Sequence, residues 1–264
     1  MAWTKLLHLT DTHLVPPGQL LYGSDPHQRL QAAVRSMATE HGDAAFCIVT
    51  GDLAHLGEPA AYGALQDTLA ALPMPVHLMI GNHDDRVAFC RQFTTTPVDG
   101  AGFVQQALPF AQGLLLTLDT NEPGVPHGVY CPRRCQWLAD RLHDSGDAPL
   151  WIAMHHPPFD VGLPSMDAIG LHDAAALTEV LAPHLERVRH LFFGHVHRPI
   201  SGSWNGVAFS TLRATNHQVA LDLSRRDAIP GSFEPPAYAV VLADSRQTLV
   251  HSHDFLDDSR RFDL

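Results

Sequence analysis

Short apolar runs that break off in polar residues constrain most of what this chain can become. Leu6 to Thr10, Ala45 to Thr50 and Val76 to Ile80 read as strands, and the amphipathic stretches Gln28 to Glu40 and Glu58 to Leu72 between them have helical length. This is a βαβαβ beginning. Further strands are expected at Leu114 to Leu118, Leu150 to Met154, Val188 to Phe193, Val207 to Thr211, Tyr238 to Leu242 and Thr248 to Ser252, with helices at Arg133 to Leu142 and Asp173 to Leu185. The Pro/Gly/Ser-rich stretch Ser224 to Pro236 reads as a long loop.

Five of these strands end in a chemically narrow set of residues. The ends carry Asp11-Thr12-His13, Gly51-Asp52, Gly81-Asn82-His83-Asp84, His155-His156-Pro157-Pro158 and Gly194-His195-Val196-His197. Each alone is an ordinary turn or helix cap. In open α/β sheets, however, ligands collect at the carboxyl ends of strands, so the five clusters are expected to share one crevice. Together they offer Asp11, His13, Asp52, Asn82, His155, His195 and His197. Mixed imidazole and oxygen donors suit zinc, iron, manganese or cobalt, and seven donors exceed what one ion needs. Two ions sharing one carboxylate would use them all, with Asp52, midway in chain order, as the natural bridge. The chain holds 19 His against 17 Lys plus Arg. Position, not that excess, marks the site.

Other classes are disfavoured. A formal net charge of −11 without a Lys/Arg stripe argues against a nucleic-acid polymer as partner. No apolar run reaches the roughly 18 residues of a membrane span, and residues 1–9 do not resemble a signal peptide, so a cytoplasmic location is expected. Four cysteines make no disulfide framework. Cys131 and Cys135 could be a zinc half-site or two residues on one helix face.

The five blocks, in this order, resemble the signature of the calcineurin-like metallophosphoesterases over residues 5 to 217. The resemblance implies an α/β fold, a four-layer αββα sandwich of two mixed β-sheets flanked by helices. It also implies one metal held by Asp11, His13, Asp52 and His197 and another by Asp52, Asn82, His155 and His195. Gly51-Asp52-Leu53-Ala54-His55-Leu56-Gly57 and Asn82-His83-Asp84 depart from the protein Ser/Thr phosphatase pattern. Leu21-Tyr22-Gly23, Gly57 to Tyr62 and His155 to Pro158 are similar to bacterial class III cyclic nucleotide phosphodiesterases and glycerophosphodiesterases, and Thr211 to Val219 to the latter branch. One domain over residues 1–264 is expected, with a loop-rich segment from about 213 at the pocket rim or an oligomer interface; a homo-oligomer fits the resemblance.

Phosphodiester hydrolysis needs an activated water, neutralisation of the phosphoryl charge and a proton for the leaving alkoxide. Two divalent ions meet the first two needs, through in-line attack of a hydroxide bridging them. His83 is assigned to the third, with Asp84 or Asp85 as the carboxylate that orients it. His217, Tyr22 and His156 are candidate substrate contacts. His55 and His127 lie in loops that could rim the pocket, although they and the remaining histidines are read as surface or core residues. The expected activity is hydrolysis of small phosphodiesters, cyclic nucleotides or glycerophosphodiesters. The alternatives are a phosphomonoesterase, a phosphonate monoester hydrolase or a nuclease on the same site, and a non-catalytic scaffold.

Overall fold

The computed structural model describes residues 3–263. Its first half runs β1 (Thr4–Leu9), α1 (Pro26–Glu40), β2 (Phe46–Thr50), α2 (Pro59–Leu69), β3 (Val76–Met79) and α3 (Arg86–Gln92). The chain then forms β4 (Gln106–Phe110), β5 (Gly113–Leu118), β6 (Gly128–Val129), α4 (Pro132–Asp144), β7 (Leu150–Met154), α5 (Pro164–Asp167), β8 (Leu171–His172) and α6 (Ala174–Leu181). A 3-10 turn at Ala182–Arg187 leads into β9 (Val188–Phe193), β10 (Ser201–Trp204), β11 (Val207–Thr211), β12 (Gln218–Val219), β13 (Gly231–Ser232), β14 (Tyr238–Ala243) and β15 (Thr248–His253).

Two large mixed sheets result, ordered β15-β14-β1-β2-β3 and β10-β11-β9-β7-β5-β4. β1, β2 and β3 are parallel to one another, as are β5, β7, β9 and β11, while β14, β15, β4 and β10 pair antiparallel at the margins. Side-chain alternation sets the layers. On β1, Leu7 and Leu9 pack against Leu30, Val34 and Met37 of α1, whereas Leu6 faces a second core shared with Trp151 and Phe192 of the other sheet. On β7, Leu150, Ile152 and Met154 turn the opposite way, toward Leu138 and Leu142 of α4 and Leu177 and Leu181 of α6. Three apolar cores thus separate four layers, α/β/β/α, as the resemblance implies.

Departures from expectation have local causes. α1 starts at Pro26, because Asp25 accepts hydrogen bonds from the backbone N–H groups of His27 (2.9 Å) and Gln28 (3.2 Å) and Pro26 is suited to the first turn. The helix expected to reach Leu185 ends at Leu181, and the stretch with Pro183, which has no N–H to donate, tightens into the 3-10 turn. β4 and β10 carry no strong strand pattern: β4 contains Pro109 and β10 reads Ser-Gly-Ser-Trp, both tolerable because each lies at a sheet edge. The 224–236 loop includes β13, which pairs with β12. Cys131 precedes α4 and Cys135 is buried in it, donating to the Tyr130 carbonyl. Both are free thiols, and among the described residues neither joins a group of three metal-donor side chains.

Candidate metal centre and pocket

The five polar strand ends converge. Backbone hydrogen bonds zip the turn after β1 onto the turn after β2, with Asp11 N–H donating to Gly51 O (3.1 Å) and His13 N–H to Asp52 O (2.9 Å). Asp11, His13, Asp52, His195 and His197 all have left-handed backbones, with φ of 51°, 43°, 51°, 68° and 46°. Such conformations cost roughly 1 kcal/mol or more each and persist only where the surroundings over-determine them, as at ligand clamps. Gly51, at φ 99°, has no alternative: a Cβ there would lie 2.7 Å from both Gly81 N and His155 Nδ1.

Asp11, His13, Asp52 and His197 are buried and present donor atoms within 4.8 Å of one another. His13 Nε2 is 3.4 Å from Asp52 Oδ2, His197 Nε2 is 3.3 Å from Asp11 Oδ1, and the two Nε2 atoms are 3.0 Å apart. On the other side of Asp52, Oδ1 lies 3.4 Å from His155 Nε2. Asn82 Oδ1 approaches that nitrogen at 3.2 Å and His195 Nδ1 at 3.0 Å. Asp52 therefore faces both halves of the cluster.

The far ring atoms are anchored to carbonyls: His155 Nδ1 to Thr50 O (2.7 Å) and His197 Nδ1 to His217 O (2.8 Å). A carbonyl only accepts, so both Nδ1 atoms carry hydrogen and the Nε2 atoms point into the cluster, the arrangement that metal-binding imidazoles require. The donor set thus fits divalent metal ions on both sides of Asp52.

Burial and mutual interactions distribute the charge. Burial opposes ionisation of Asp52, but the His155 and His83 imidazoles hold it well below the usual carboxylate range. Burial likewise lowers His155, yet Asp52 outweighs this and its pKa rises to about 9. His195 and His217 fall to about 3, chiefly through burial, with His155 and His197 respectively adding to the effect.

Supporting residues outnumber those anticipated. His8, buried, meets Thr50 Oγ1 at 2.8 Å; Thr50 donates to Thr10 Oγ1 (2.7 Å), which donates to Asp11 Oδ2 (2.7 Å). The end of β5 is a sixth polar strand end, Asp119-Thr120-Asn121, where Asn121 Nδ2 donates to the Gly81 (2.6 Å) and Asp84 (3.1 Å) carbonyls. Asp119 takes a two-pronged contact from Arg86.

Asp84 does not orient His83. Its carboxylate accepts from the backbone N–H groups of Leu53, Ala54 and Gly81 and from Tyr62 Oη, while Asp85 caps α3 through Ala88 N–H. The His83 ring is held instead by the His55 carbonyl, 2.7 Å from Nδ1, and stacks on the His55 ring. Asp84→Ala would strand four donors in the interior. We expect a loss of about 4 kcal/mol, read as a fall in Tm of roughly 10 °C; an unchanged melt would refute the clamp role.

A pocket of ≈ 510 Å³ opens over this cluster, lined by His13, Asp52, Asn82, His83, His195 and His197 on its polar side. His217, Tyr22 and His55 line it too, the Tyr22 ring meeting the His217 ring at 4.9 Å with Tyr22 itself exposed. His156 does not reach it. Its buried ring lies behind His195, 4.5 Å between centroids, with Nδ1 at Thr120 Oγ1 (2.8 Å), so the substrate-contact expectation gives way to packing. His127 also stays out, stacked on His172. The C-terminal segment adds Ile229 and Phe233, which sequence patterning could not place because they sit in loop.

Fold and site together define a phosphoester-hydrolase architecture. The profile of the calcineurin-like phosphoesterases matches residues 4–199, and the chain belongs to that family, whose members are hydrolases working with divalent metal ions. It is 46% identical over 263 residues to a probable cyclic nucleotide phosphodiesterase of Rhodopseudomonas palustris, covering 98% of this chain and 96% of that one. Identity to the glycerophosphodiester phosphodiesterase GpdQ of Enterobacter lignolyticus is 31%, over 81% of this chain and 78% of the other. Among solved structures, a dimetal phosphatase from Danio rerio superposes with a TM-score of 0.67 at 14% identity, covering 94% of this chain and 98% of that one, a likeness of fold.

Proposed function

We propose that the protein is a dinuclear metal-dependent phosphodiesterase acting on cyclic nucleotides. The observation that carries this reading is the pairing, in one pocket, of the seven-donor cluster with an apolar wall of Met166, Ile169, Val219, Ile229 and Phe233. Met166 and Val219 belong to a small buried cluster with Leu163 and Val196, which gives the wall a firm backing. Phe233 leaves about half its surface free, 54%, so its ring can meet a planar base. A glycerol diester would leave that wall without an apolar partner. The likeness to the Rhodopseudomonas protein supports the same choice.

In this proposal Asp11, His13, Asp52 and His197 hold one ion and Asp52, Asn82, His155 and His195 the other. When bound, the ions supply an ionised water near neutral pH and neutralise the phosphoryl oxygens. The chain's own groups do the rest. Carbonyls of Thr50 and His217 fix the imidazole donors, the His8-Thr50-Thr10 relay fixes Asp11, and His83, on the pocket wall, gives its proton to the departing ribose oxygen. His217 and Tyr22 line the substrate side.

The test compares kcat/KM for 3′,5′-cyclic AMP with that for a glycerophosphodiester, in wild type and Phe233→Ala. Cyclic AMP should be preferred, and the variant should raise its KM about 10-fold, in keeping with aromatic–base stacking, while bis(p-nitrophenyl) phosphate turnover is little changed. Preference for the glycerophosphodiester with a neutral Phe233→Ala would move the assignment to the glycerophosphodiesterase alternative.

A further inference from the structure

A second cluster of metal-donor side chains lies on elements that do not line the pocket. Glu40 ends α1, His41 comes next as the helix cap, and His253 ends β15. Their donor atoms all lie within 4.8 Å of one another. His253 Nε2 is 3.5 Å from Glu40 Oε1, and the two imidazole rings stand perpendicular with centroids 5.4 Å apart.

An ordinary ion pair between Glu40 and His253 would leave one thing unexplained. His41 Nε2 is shielded from solvent and has no hydrogen-bond partner. Orphaned buried polar atoms are uncommon and costly, and an imidazole lone pair can be satisfied by a cation as well as by a donor. The carboxylate beside it is also held in place. Ser36 Oγ donates to Glu40 Oε1 at 2.9 Å, so the Tyr238 hydroxyl, 2.8 Å away, donates to Ser36. The Tyr238 ring stacks on His253, 4.8 Å between centroids at 19°. Outer-shell support of this kind is what orients ligands in metal sites.

The neighbouring cations do not block it. Lys5 is paired with Asp43 at 2.6 Å, and Arg261, 3.8 Å from Glu40 Oε2, is an exposed side chain free to swing away. Two imidazoles and one carboxylate suit zinc and its neighbours, and three protein ligands leave a position for water.

We propose that Glu40, His41 and His253 form a transition-metal site of the zinc class, separate from the catalytic centre, which fastens the edge strand β15 to α1. The site does not depend on the phosphodiesterase assignment. Metal-stripped wild type and the His41→Ala/His253→Ala double variant are dialysed against buffered Zn²⁺ and the bound zinc counted by mass spectrometry. The variant should hold one zinc fewer per chain while keeping wild-type hydrolysis of bis(p-nitrophenyl) phosphate. Zn²⁺ should slow amide exchange across residues 248–253 in wild type and not in the variant. Glu40→Gln, which retains an oxygen for Ser36, should weaken zinc binding with the fold intact by circular dichroism. Equal zinc counts in wild type and both folded variants would overturn the proposal.

Discussion

Asp52→Asn is expected to abolish diester hydrolysis, by far more than the roughly 100-fold that losing an outer-shell partner can cost, while leaving the chain folded. Asp52 turns its two oxygens toward different halves of the donor cluster, Oδ2 toward His13 and Oδ1 toward His155, each at 3.4 Å. An amide keeps one oxygen, enough to accept from His83 N–H as Oδ1 now does at 2.9 Å, but it sets an NH₂ group against the other half. Stability should move differently. Metal-stripped Asp52→Asn loses the buried carboxylate that pairs with His155 and should melt below stripped wild type while remaining folded. Metal binding to the folded state alone raises wild-type Tm by mass action, and the variant should gain less. Wild type treated with chelator should lose bis(p-nitrophenyl) phosphate turnover and regain it with Mn²⁺, Co²⁺ or Zn²⁺. Wild-type turnover in Asp52→Asn, or no turnover by wild type with any of these metals, would remove the basis of the proposal.

How much of this centre is legible in the sequence depends on the physics of each signal. Strand ends carrying Asp11, Asp52, Asn82, His155, His195 and His197 stand out because apolar runs stop there and ligand-type residues begin, and the fold brings them together because parallel strands present those ends to one side. Asp119-Thr120-Asn121 carries the same break but presents no imidazole, and its bracing of the 81–84 turn shows only in the folded chain. Asp84 takes a different duty from the one its sequence neighbour suggests. It adjoins His83, yet its partners Leu53, Ala54 and Tyr62 are 22 to 31 positions away, and only the folded backbone brings them near. His8 is among the histidines read as surface or core residues, and its burial beside Thr50 makes it the start of a hydrogen-bond relay to Asp11. The apolar wall is invisible for a related reason: Ile229 and Phe233 lie in irregular chain, where no period links residues to a face.

His83→Ala should separate the acid role from a merely electrostatic one. The His83 Nδ1 hydrogen is committed to the His55 carbonyl, which leaves Nε2 as the atom able to deliver a proton into the pocket that the ring lines. A ribose alkoxide is a poor leaving group and needs that proton as the P–O bond breaks; p-nitrophenolate departs without one. If Nε2 supplies it, His83→Ala should cut kcat for cyclic AMP by about 10²- to 10⁴-fold, the usual worth of a positioned general acid, and cut p-nitrophenolate release far less. His83→Gln, which keeps a hydrogen-bond donor but cannot transfer a proton, should behave like the alanine variant. Equal losses on both leaving groups, with activity recovered in His83→Gln, would instead assign His83 to stabilising charge on the phosphoryl oxygens, a role that depends on donation and not on proton transfer.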